Sequence, residues 1–430
     1  MKIERLVLKN FRGIREMDLE FNERLTVLIG ENGAGKSSIL HALALPLSDV
    51  FRQRPLWEGG SPSGAKNSDV LNGESAAKVR VFLKSDRPDF DLAISCDASH
   101  GVDEAATFDL KKSESVKRME ESLRRDRKSS GSLLAIRYLP ERRIGRKHAT
   151  PSRRDILAPA AAYGSALECG RGHRQFFTWF RKRQNEDLLS LQVPWSEALQ
   201  SLKRGDRPPG TDSFLFAARS TIADFMGARA LYFQDGMFYV YKGGQEFSVN
   251  QLSDGEKGLL GLVGDLTYRL AVTHPHLMEG DELLQKAEAV VMIDEMEQHL
   301  HPAWQRMVVP QLLETFPNVQ FIITTHSPQV LSHVEDKSVF LLRQTDEGIV
   351  HAPLSEVYGQ SYERLLEDVF GVGARPDEVQ KELDELFDLI QRNHVPEARR
   401  KFDELRRRIG TDPDMTLAGF RLHRKDEMTQ

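Results

Sequence analysis

Residues 30–37 have the sequence Gly-Glu-Asn-Gly-Ala-Gly-Lys-Ser and match the pattern G-x-x-x-x-G-K-[ST] at every fixed position. The apolar run at 25–29 precedes them and predicts a buried strand, and residues 38–45 follow them and predict a helix. Strand, glycine loop and helix therefore occur in the order that a phosphate-binding loop requires. A chance glycine turn before a helix is the alternative, and the flanking elements argue against it.

The residue types of this loop indicate its chemistry. Glycines let backbone amides approach phosphate oxygens closely, and the following helix adds the positive end of its dipole at the same point. Lys36 would neutralise the β- and γ-phosphates of ATP, and the Ser37 hydroxyl would bind the Mg²⁺ that bridges them. The nucleotide-binding residues predicted here are Gly30, Asn32, Gly33, Ala34, Gly35, Lys36, Ser37 and Ser38.

Composition excludes several classes of protein. The net charge is −5 and the pI is near 6.3, so binding of nucleic acid would need a local basic patch. The two cysteines, Cys96 and Cys169, cannot build a disulfide scaffold and lack metal-ligand spacing. No signal peptide or membrane span is evident in the sequence. We therefore expect a cytoplasmic protein without a membrane partner, and the 430 residues suit one large core with an insertion.

Two further apolar runs end in residues that suit ATP hydrolysis. Residues 289–293 predict a buried strand, and Asp294 and Glu295 follow at its carboxyl end, where parallel sheets bind ligands. We expect Asp294 to hold Mg²⁺ through water and Glu295 to polarise the water that attacks the γ-phosphate. His326 follows the apolar run at 319–323, and a neutral imidazole there would hydrogen-bond the γ-phosphate. Solvated acids and a structural histidine are the alternatives, but their order after the phosphate loop favours Lys36, Glu295 and His326 as catalytic residues.

A third motif, Gln-Leu-Ser-Asp-Gly-Glu-Lys-Gly at 251–258, lies between the phosphate loop and the acidic strand. Ser253 predicts a helix N-cap, and Glu256 completes a capping box. The same helix start presents exposed amides and so predicts an anion site. Residues 252–256 resemble the L-S-G-G-E signature of ABC-type ATPases, except that Asp254 replaces the first glycine. The resemblance implies that Ser253 and Gly255 contact ATP, whereas Asp254 leaves the rate of hydrolysis open.

The motif order extends this resemblance. Residues 1–45, with Asn-Phe-Arg-Gly-Ile at 10–14, resemble the start of RecF-like and SMC-like ATPases. Residues 293–302 and 324–329 are similar to the overcoming-lysogenization-defect (OLD) and related bacterial defence ATPases. The resemblance implies an α/β fold, in which an ABC-type P-loop ATPase core has a mixed sheet flanked by helices, an inserted mainly helical lobe and a C-terminal helical hairpin.

The predicted organisation has four segments. They are an N-terminal ATPase part with antiparallel strands (1–110), an inserted helical and basic lobe (111–245), a C-terminal ATPase part (246–350) and a helical hairpin (351–430). Basic runs at 124–128, 142–147 and 153–154 suit contact with DNA or RNA through the 111–154 segment, or else a solvated, flexible face.

Smaller patterns complete this organisation. The aromatic run at 176–180 predicts a packing face, and residues 232–240 predict a hairpin with an Asp-Gly turn. The apolar stripes of the C-terminal helices could cover their own chain or a partner, and we favour their own chain.

The resemblance also bears on assembly and purpose. In ABC-type ATPases each nucleotide lies between the phosphate loop of one subunit and the signature of another, so this chain, with one set of motifs, is expected to form a dimer or higher homo-oligomer. The region beginning at 365–371 is similar to the ATPase subunit of the two-component Septu anti-phage system and of retron-associated relatives. Their nuclease is a separate HNH-type protein. Because Asp412 and Asp414 lie in a short, polar tail, we expect no nuclease in this chain.

Three functions therefore remain open from the sequence. The favoured one is an ATP-hydrolysing subunit of an anti-phage complex that controls a separate HNH-type nuclease. The second is a RecF-like DNA-repair ATPase that acts on DNA without a nuclease. The third is a scaffold that is held together by bound ATP and turns over very slowly, for which Asp254 is the main support.

Overall fold

The computed structural model describes most of the chain. The described residues are 1–52, 66–84, 92–99, 107–112, 134–140, 162–163, 166–168, 174–277, 279–346, 348–354, 356–373 and 375–427. The three basic runs predicted to contact nucleic acid lie outside them. The chain divides into two compact units, Met1–Gln360 and Ser361–Gln430.

A six-stranded mixed sheet forms the centre of the first unit. In spatial order its strands are β14 (Gly348–Pro353), β13 (Val339–Thr345), β3 (Leu25–Gly30), β12 (Val319–Thr324), β11 (Ala289–Ile293) and β7 (Ala135–Tyr138). All neighbours are parallel except the antiparallel pair β13 and β14. The apolar runs of β3, β11 and β12 are buried along their whole length, as expected for strands covered on both faces. Their carboxyl ends therefore meet at one edge.

An antiparallel sheet of five strands includes the N-terminus. In spatial order its strands are β2 (Ile14–Glu20), β1 (Lys2–Phe11), β4 (Ala76–Lys84), β5 (Leu92–Ser99) and β6 (Thr107–Lys112). The predicted antiparallel strands of this region are confirmed. Buried Gln320 of β12 joins the two sheets, because its side chain accepts a hydrogen bond from Ile3 N at 2.7 Å and donates one to Ile3 O at 2.8 Å.

A small sheet of three antiparallel strands precedes the signature motif. Its strands are β8 (Ala230–Gln234), β9 (Met237–Lys242) and β10 (Gln245–Ser248). The predicted hairpin is confirmed, since Asp235 and Gly236 connect β8 and β9 with φ angles of 50° and 81°.

Within the described ranges of the first unit, eight helices accompany these sheets. They are α1 (Lys36–Arg52), α2 (Arg174–Leu188), α3 (Trp195–Arg204), α4 (Ser213–Phe225), α5 (Asp254–Thr273), α6 (Glu282–Lys286), α7 (Pro302–Thr315) and α8 (Pro328–Leu331). Phe176, Phe177, Trp179 and Phe180 of α2 are buried, as the packing interpretation predicts. The span 111–245 supplies three of these helices but also β7, which lies beside β11 in the central sheet. The mixed sheet flanked by helices confirms the predicted fold class.

The second unit is a helical bundle with more helices than the predicted hairpin. Its helices are α9 (Tyr362–Asp368), α10 (Asp377–Gln391), α11 (Val395–Ile409) and α12 (Pro413–Glu427). The apolar stripes of α10, α11 and α12 form one core within the unit, so the preference for packing on the same chain is confirmed. The expectation that Asp412 and Asp414 lie in a polar tail was wrong. Both residues stand at the start of α12 and pair with Arg375 Nη2, at 2.6 and 2.7 Å. In the described ranges, no helix is long and apolar enough to cross a membrane.

Candidate active site

The phosphate loop turns sharply between β3 and α1, and its glycines allow the turn. Gly30 has φ of 147°, and a Cβ there would lie 2.3 Å from the carbonyl oxygen of Leu342, so only glycine fits beside β13. Gly33 and Gly35 also have positive φ angles of 84° and 91°. Side chains are thus excluded from the inside of the turn, and backbone amides can face a phosphate.

Lys36 is folded back over this loop. Its ammonium group donates hydrogen bonds to Gly30 O at 2.9 Å and to Glu31 O at 2.8 Å, and the residue is only 6% exposed. Burial lowers the pKa of Lys36, and the nearby carboxylates of Asp294, Glu297 and Glu295 oppose this shift. The buried Lys36 ammonium therefore lies near the carboxylates at the carboxyl end of β11, where a nucleotide phosphate would add negative charge.

The structure brings the two predicted Mg²⁺ ligands together. Ser37 Oγ donates to Asp294 Oδ1 at 3.0 Å, although the two residues are 257 positions apart. Asp294 is 2% exposed, and its Oδ1 also accepts a hydrogen bond from Thr324 Oγ1 at 2.7 Å. A hydroxyl and a carboxylate are the hard oxygen donors that Mg²⁺ prefers, so this pair fits the ion.

Glu295 occupies a strained position at the end of β11. Its φ is 49°, a left-handed conformation that costs a non-glycine residue roughly 1–3 kcal/mol. The Glu295 N–H donates to Thr324 Oγ1 at 2.8 Å, and this bond holds the backbone turn. The left-handed backbone at Glu295 therefore lies just beyond the end of β11, at the sheet edge where parallel sheets bind ligands.

His326 is held by an acid that sequence analysis missed. Glu297 accepts hydrogen bonds from Thr325 Oγ1 at 2.7 Å and from His326 N at 2.6 Å. Burial lowers the pKa of His326, the Lys36 charge acts in the same direction, and Glu297 opposes both. The lowered pKa favours a neutral ring at pH 7, which agrees with the predicted neutral imidazole.

A second polar cluster lies beside α1 and was also missed. Arg12 Nε donates to Asp69 Oδ1 at 2.8 Å, and Arg12 Nη1 lies 3.4 Å from Ser38 Oγ. His41 Nε2 lies 3.4 Å from Asp69 Oδ2, and Arg137 Nη1 lies 3.2 Å from His41 Nδ1. Asp69 is completely buried.

The cluster is held together by the ionised Asp69 carboxylate. Burial raises the pKa of Asp69, but hydrogen bonds from His41, from the Lys66 N–H and from Arg12 outweigh it and hold the pKa well below its ordinary value. The aspartate lies in a segment rich in Gly, Ser and Asn, which carried no sequence signal for a buried acid.

The signature segment, residues 252–256, begins helix α5 as predicted. Ser253 is the N-cap, and its N–H and hydroxyl both donate to Glu256 Oε2 at 2.8 Å, which confirms the capping box. Ser253 and Asp254 are exposed. Gly255 packs against the loop after β11, since a Cβ there would lie 2.4 Å from His299 O. The hydrogen bonds found for Ser253 among the described residues are to its own helix and do not reach the phosphate loop.

Comparison with known proteins agrees with this geometry. Residues 25–332, more than half of the chain, match a family described as "AAA domain, putative AbiEii toxin, Type IV TA system". The chain belongs to this AAA-domain family. It is a P-loop ATPase with the phosphate loop at residues 30–37. Residues 1–47 match a second AAA-domain family.

Named relatives of this ATPase come from bacterial retron and Septu systems. It is 24% identical to the retron Ec83 probable ATPase of Escherichia coli, over 98% of this chain and 86% of the relative. It is 27% identical to the Septu protein PtuA of Bacillus mycoides, over 93% of this chain but only 49% of the relative. Among solved structures, an SMC head domain from Pyrococcus furiosus, bound to the C-terminal domain of ScpA, is 15% identical with a TM-score of 0.47. The match covers 82% of this chain and 96% of that one.

Proposed function

We propose that this chain is the ATPase subunit of an anti-phage defence complex. It binds ATP and Mg²⁺, hydrolyses ATP in a head-to-tail dimer, and uses that cycle to control a separate HNH-type nuclease. Similarity to retron and Septu ATPases over most of the chain supports the defence role. The cluster formed by Lys36, Ser37 and Asp294 at the sheet edge is the observation that carries the ATPase part.

The side chains of this cluster have separate tasks in hydrolysis. Lys36 moves its ammonium from the loop carbonyls to the phosphates and neutralises charge that develops on the γ-phosphate. Mg²⁺, when bound by Ser37 and Asp294, supplies further neutralisation of the phosphate oxygens. Glu295 accepts a hydrogen bond from the attacking water and orients it. His326 donates a hydrogen bond to the γ-phosphate, so it responds when that phosphate leaves.

The position of the signature supports the proposed dimer. Ser253 is exposed, and its hydrogen bonds are made to Glu256 in its own helix. In the proposed dimer, Ser253 and Gly255 of one copy contact ATP that Lys36 of the other copy binds. The helix start adds backbone amides and the positive end of the α5 dipole toward the γ-phosphate. Two identical sites then form across one twofold axis.

Reconstitution with the neighbouring gene product tests the defence role. If a small HNH-type protein is encoded beside this chain, the two are co-purified and DNA cleavage is measured with ATP, without ATP and with Glu295→Gln. We expect the rate of DNA cleavage to differ with and without ATP. With Glu295→Gln and ATP, the rate should stay at the value of the ATP-bound state. Nuclease activity that ignores ATP would contradict the proposal. Strong stimulation of hydrolysis by DNA alone would favour a repair ATPase, and slow turnover with constant oligomer size would favour a scaffold.

A further inference from the structure

A lysine on the small three-stranded sheet makes an ion pair with the signature helix. Lys242 is the last residue of β9 and pairs with Glu256 Oε1. Gly243 and Gly244 form the tight turn that follows, with φ angles of 57° and 79°, and β10 is connected to the signature by the 3-10 helix Val249–Gln251. The Glu256 side chain is only 9% exposed and the Lys242 side chain is 27% exposed, so the carboxylate of this pair is largely shielded from water.

The two carboxylate oxygens of Glu256 have different partners. Oε2 accepts hydrogen bonds from Ser253 N and from Ser253 Oγ, both at 2.8 Å. Oε1 faces Lys242. The lysine ammonium also lies 5.2 Å from the centre of the Phe247 ring, which adds a cation–π contact to its position. The orientation of the signature serine therefore depends, through one carboxylate, on a cation from the hairpin.

We propose that Lys242 is a positioning residue for Ser253 and that it acts on ATP bound by the opposite subunit; this rests on the nucleotide-sandwich dimer of the proposed function. Lys242 fixes the Glu256 carboxylate, and the carboxylate fixes the serine hydroxyl at the helix start. Among the described contacts of Lys242, Glu256 and Ser253, none is to the phosphate loop of the same chain. Loss of Lys242 therefore impairs the site that contains the partner's phosphate loop. It does not impair the site that contains the phosphate loop of its own chain.

Three substitutions separate this role from a structural one. Lys242→Met keeps the side-chain length but removes the charge, and leaves a mostly buried carboxylate without its cation. We expect ATP-dependent dimerisation to weaken at least about tenfold, since the mostly buried Glu256 carboxylate would lose its counterion. ATP binding by the single chain stays unchanged. Lys242→Arg restores dimerisation. Lys203→Met removes the ion pair between Lys203 of α3 and Glu246 of β10, which joins the helix to the same sheet at 2.5 Å, and it should leave dimerisation as in the wild type.

Mixing two impaired variants gives the decisive measurement. Lys36→Ala lacks a working phosphate loop, and Lys242→Met lacks a working signature, so a mixed dimer contains one site with both halves intact. We expect the mixture to recover hydrolysis that neither variant shows alone, at most about half of the wild-type rate, because only mixed dimers have a working site and each has one of two. Thermal melting of each variant establishes that it is folded.

Two results overturn the role of Lys242. One is a mixture that recovers no activity although Glu295→Gln forms an ATP-dependent dimer. The other is equal impairment of Lys203→Met and Lys242→Met, which would assign the effect to the sheet as a whole. Failure of the sandwich itself is recognised separately, because Glu295→Gln would then stay monomeric with ATP.

Discussion

The hydroxyl of Thr324 makes hydrogen bonds to two neighbouring acidic residues. It donates to Asp294 Oδ1 at 2.7 Å and accepts from Glu295 N at 2.8 Å, so it links the predicted metal ligand to the backbone of the predicted catalytic acid. A threonine within an apolar strand suits β propensity and gives no sign of this role. Its function becomes visible only when β11 and β12 lie side by side.

Removal of that hydroxyl should slow hydrolysis more than it impairs binding. Thr324→Val keeps the shape of the side chain, but Asp294 loses a donor and the left-handed turn at Glu295 loses its support. We expect the kcat of ATP hydrolysis to fall about 10- to 100-fold, equivalent to a loss of about 1.4–3 kcal/mol. Steady-state kinetics measures this. Thr26→Val is the matched control, because it removes another buried strand hydroxyl, which accepts from Asn22 N at 3.0 Å. Equal kcat values for both variants would refute the role of Thr324.

Short sequence motifs predicted individual site residues, but they did not predict the hydrogen-bond networks around those residues. Lys36, Ser37 and Asp294 follow from local patterns, and the structure brings Ser37 and Asp294 to 3.0 Å. Glu297 and Asp69 could not be predicted, because the groups that they bind lie 28 and 57 positions away in sequence and no local pattern pairs the two positions. Their roles depend on tertiary contacts.

At the scale of one element, the start of α5 is fixed by packing as much as by capping. Gly255 faces the His299 carbonyl oxygen at a distance that admits no Cβ, whereas a Cβ at Gly258 would meet nothing within 4 Å. Both glycines lie in one helix, so their contrast isolates packing from helix propensity. The sequence predicted the capping box but not this contact with the loop after β11.

The two glycines should respond to alanine with opposite signs. Gly255→Ala forces the helix away from the His299 backbone and should lower the free energy of unfolding by about 1–3 kcal/mol. Gly258→Ala improves helix propensity and should raise it by about 0.5–1 kcal/mol. Urea unfolding followed by circular dichroism measures both values. Destabilisation by Gly258→Ala, or none by Gly255→Ala, would contradict the packing described for this helix start.

Asp69 joins three elements, because it binds Arg12 in the turn after β1, faces His41 of α1 and is itself the last residue of the 3-10 helix Asn67–Asp69. Since the pKa of Asp69 is depressed in the folded state, acidification protonates the unfolded state first. The stability that Asp69 provides is therefore complete above about pH 4 and is lost as the pH falls below that value.

A pH series with Asp69→Asn tests this contribution. At pH 7 and pH 5 the variant should be about 2 kcal/mol or more less stable than the wild type, because a buried charged group loses its bonds. The difference should shrink below about pH 4, where the wild type loses the same contribution. Urea titrations at each pH provide the measurement. A difference that is constant to pH 3, or that grows on acidification, would be inconsistent with an ionised Asp69.

At the scale of the whole molecule, long periodic segments were predicted and short ones were not. The amphipathic stripes of α10 and α11 indicated helices correctly, but α12 and the four-residue strand β7 went unrecognised. Four residues are too few to show a strand period, and β7 is buried at the edge of a sheet formed by distant segments. The predicted four-segment organisation stays a prediction, although the chain divides into two compact units at residue 360.

The mass of Glu295→Gln in solution tests most directly whether two copies of the chain close around ATP. Light scattering coupled to size-exclusion chromatography should find twice the chain mass with ATP and Mg²⁺ and the single mass without nucleotide, because ATP that is not hydrolysed keeps the sandwich closed. Adding Lys36→Ala to the variant should abolish the dimer. A variant that hydrolyses ATP at the wild-type rate, or whose mass is the same with and without ATP, would show that Glu295 and the sandwich have been assigned wrongly.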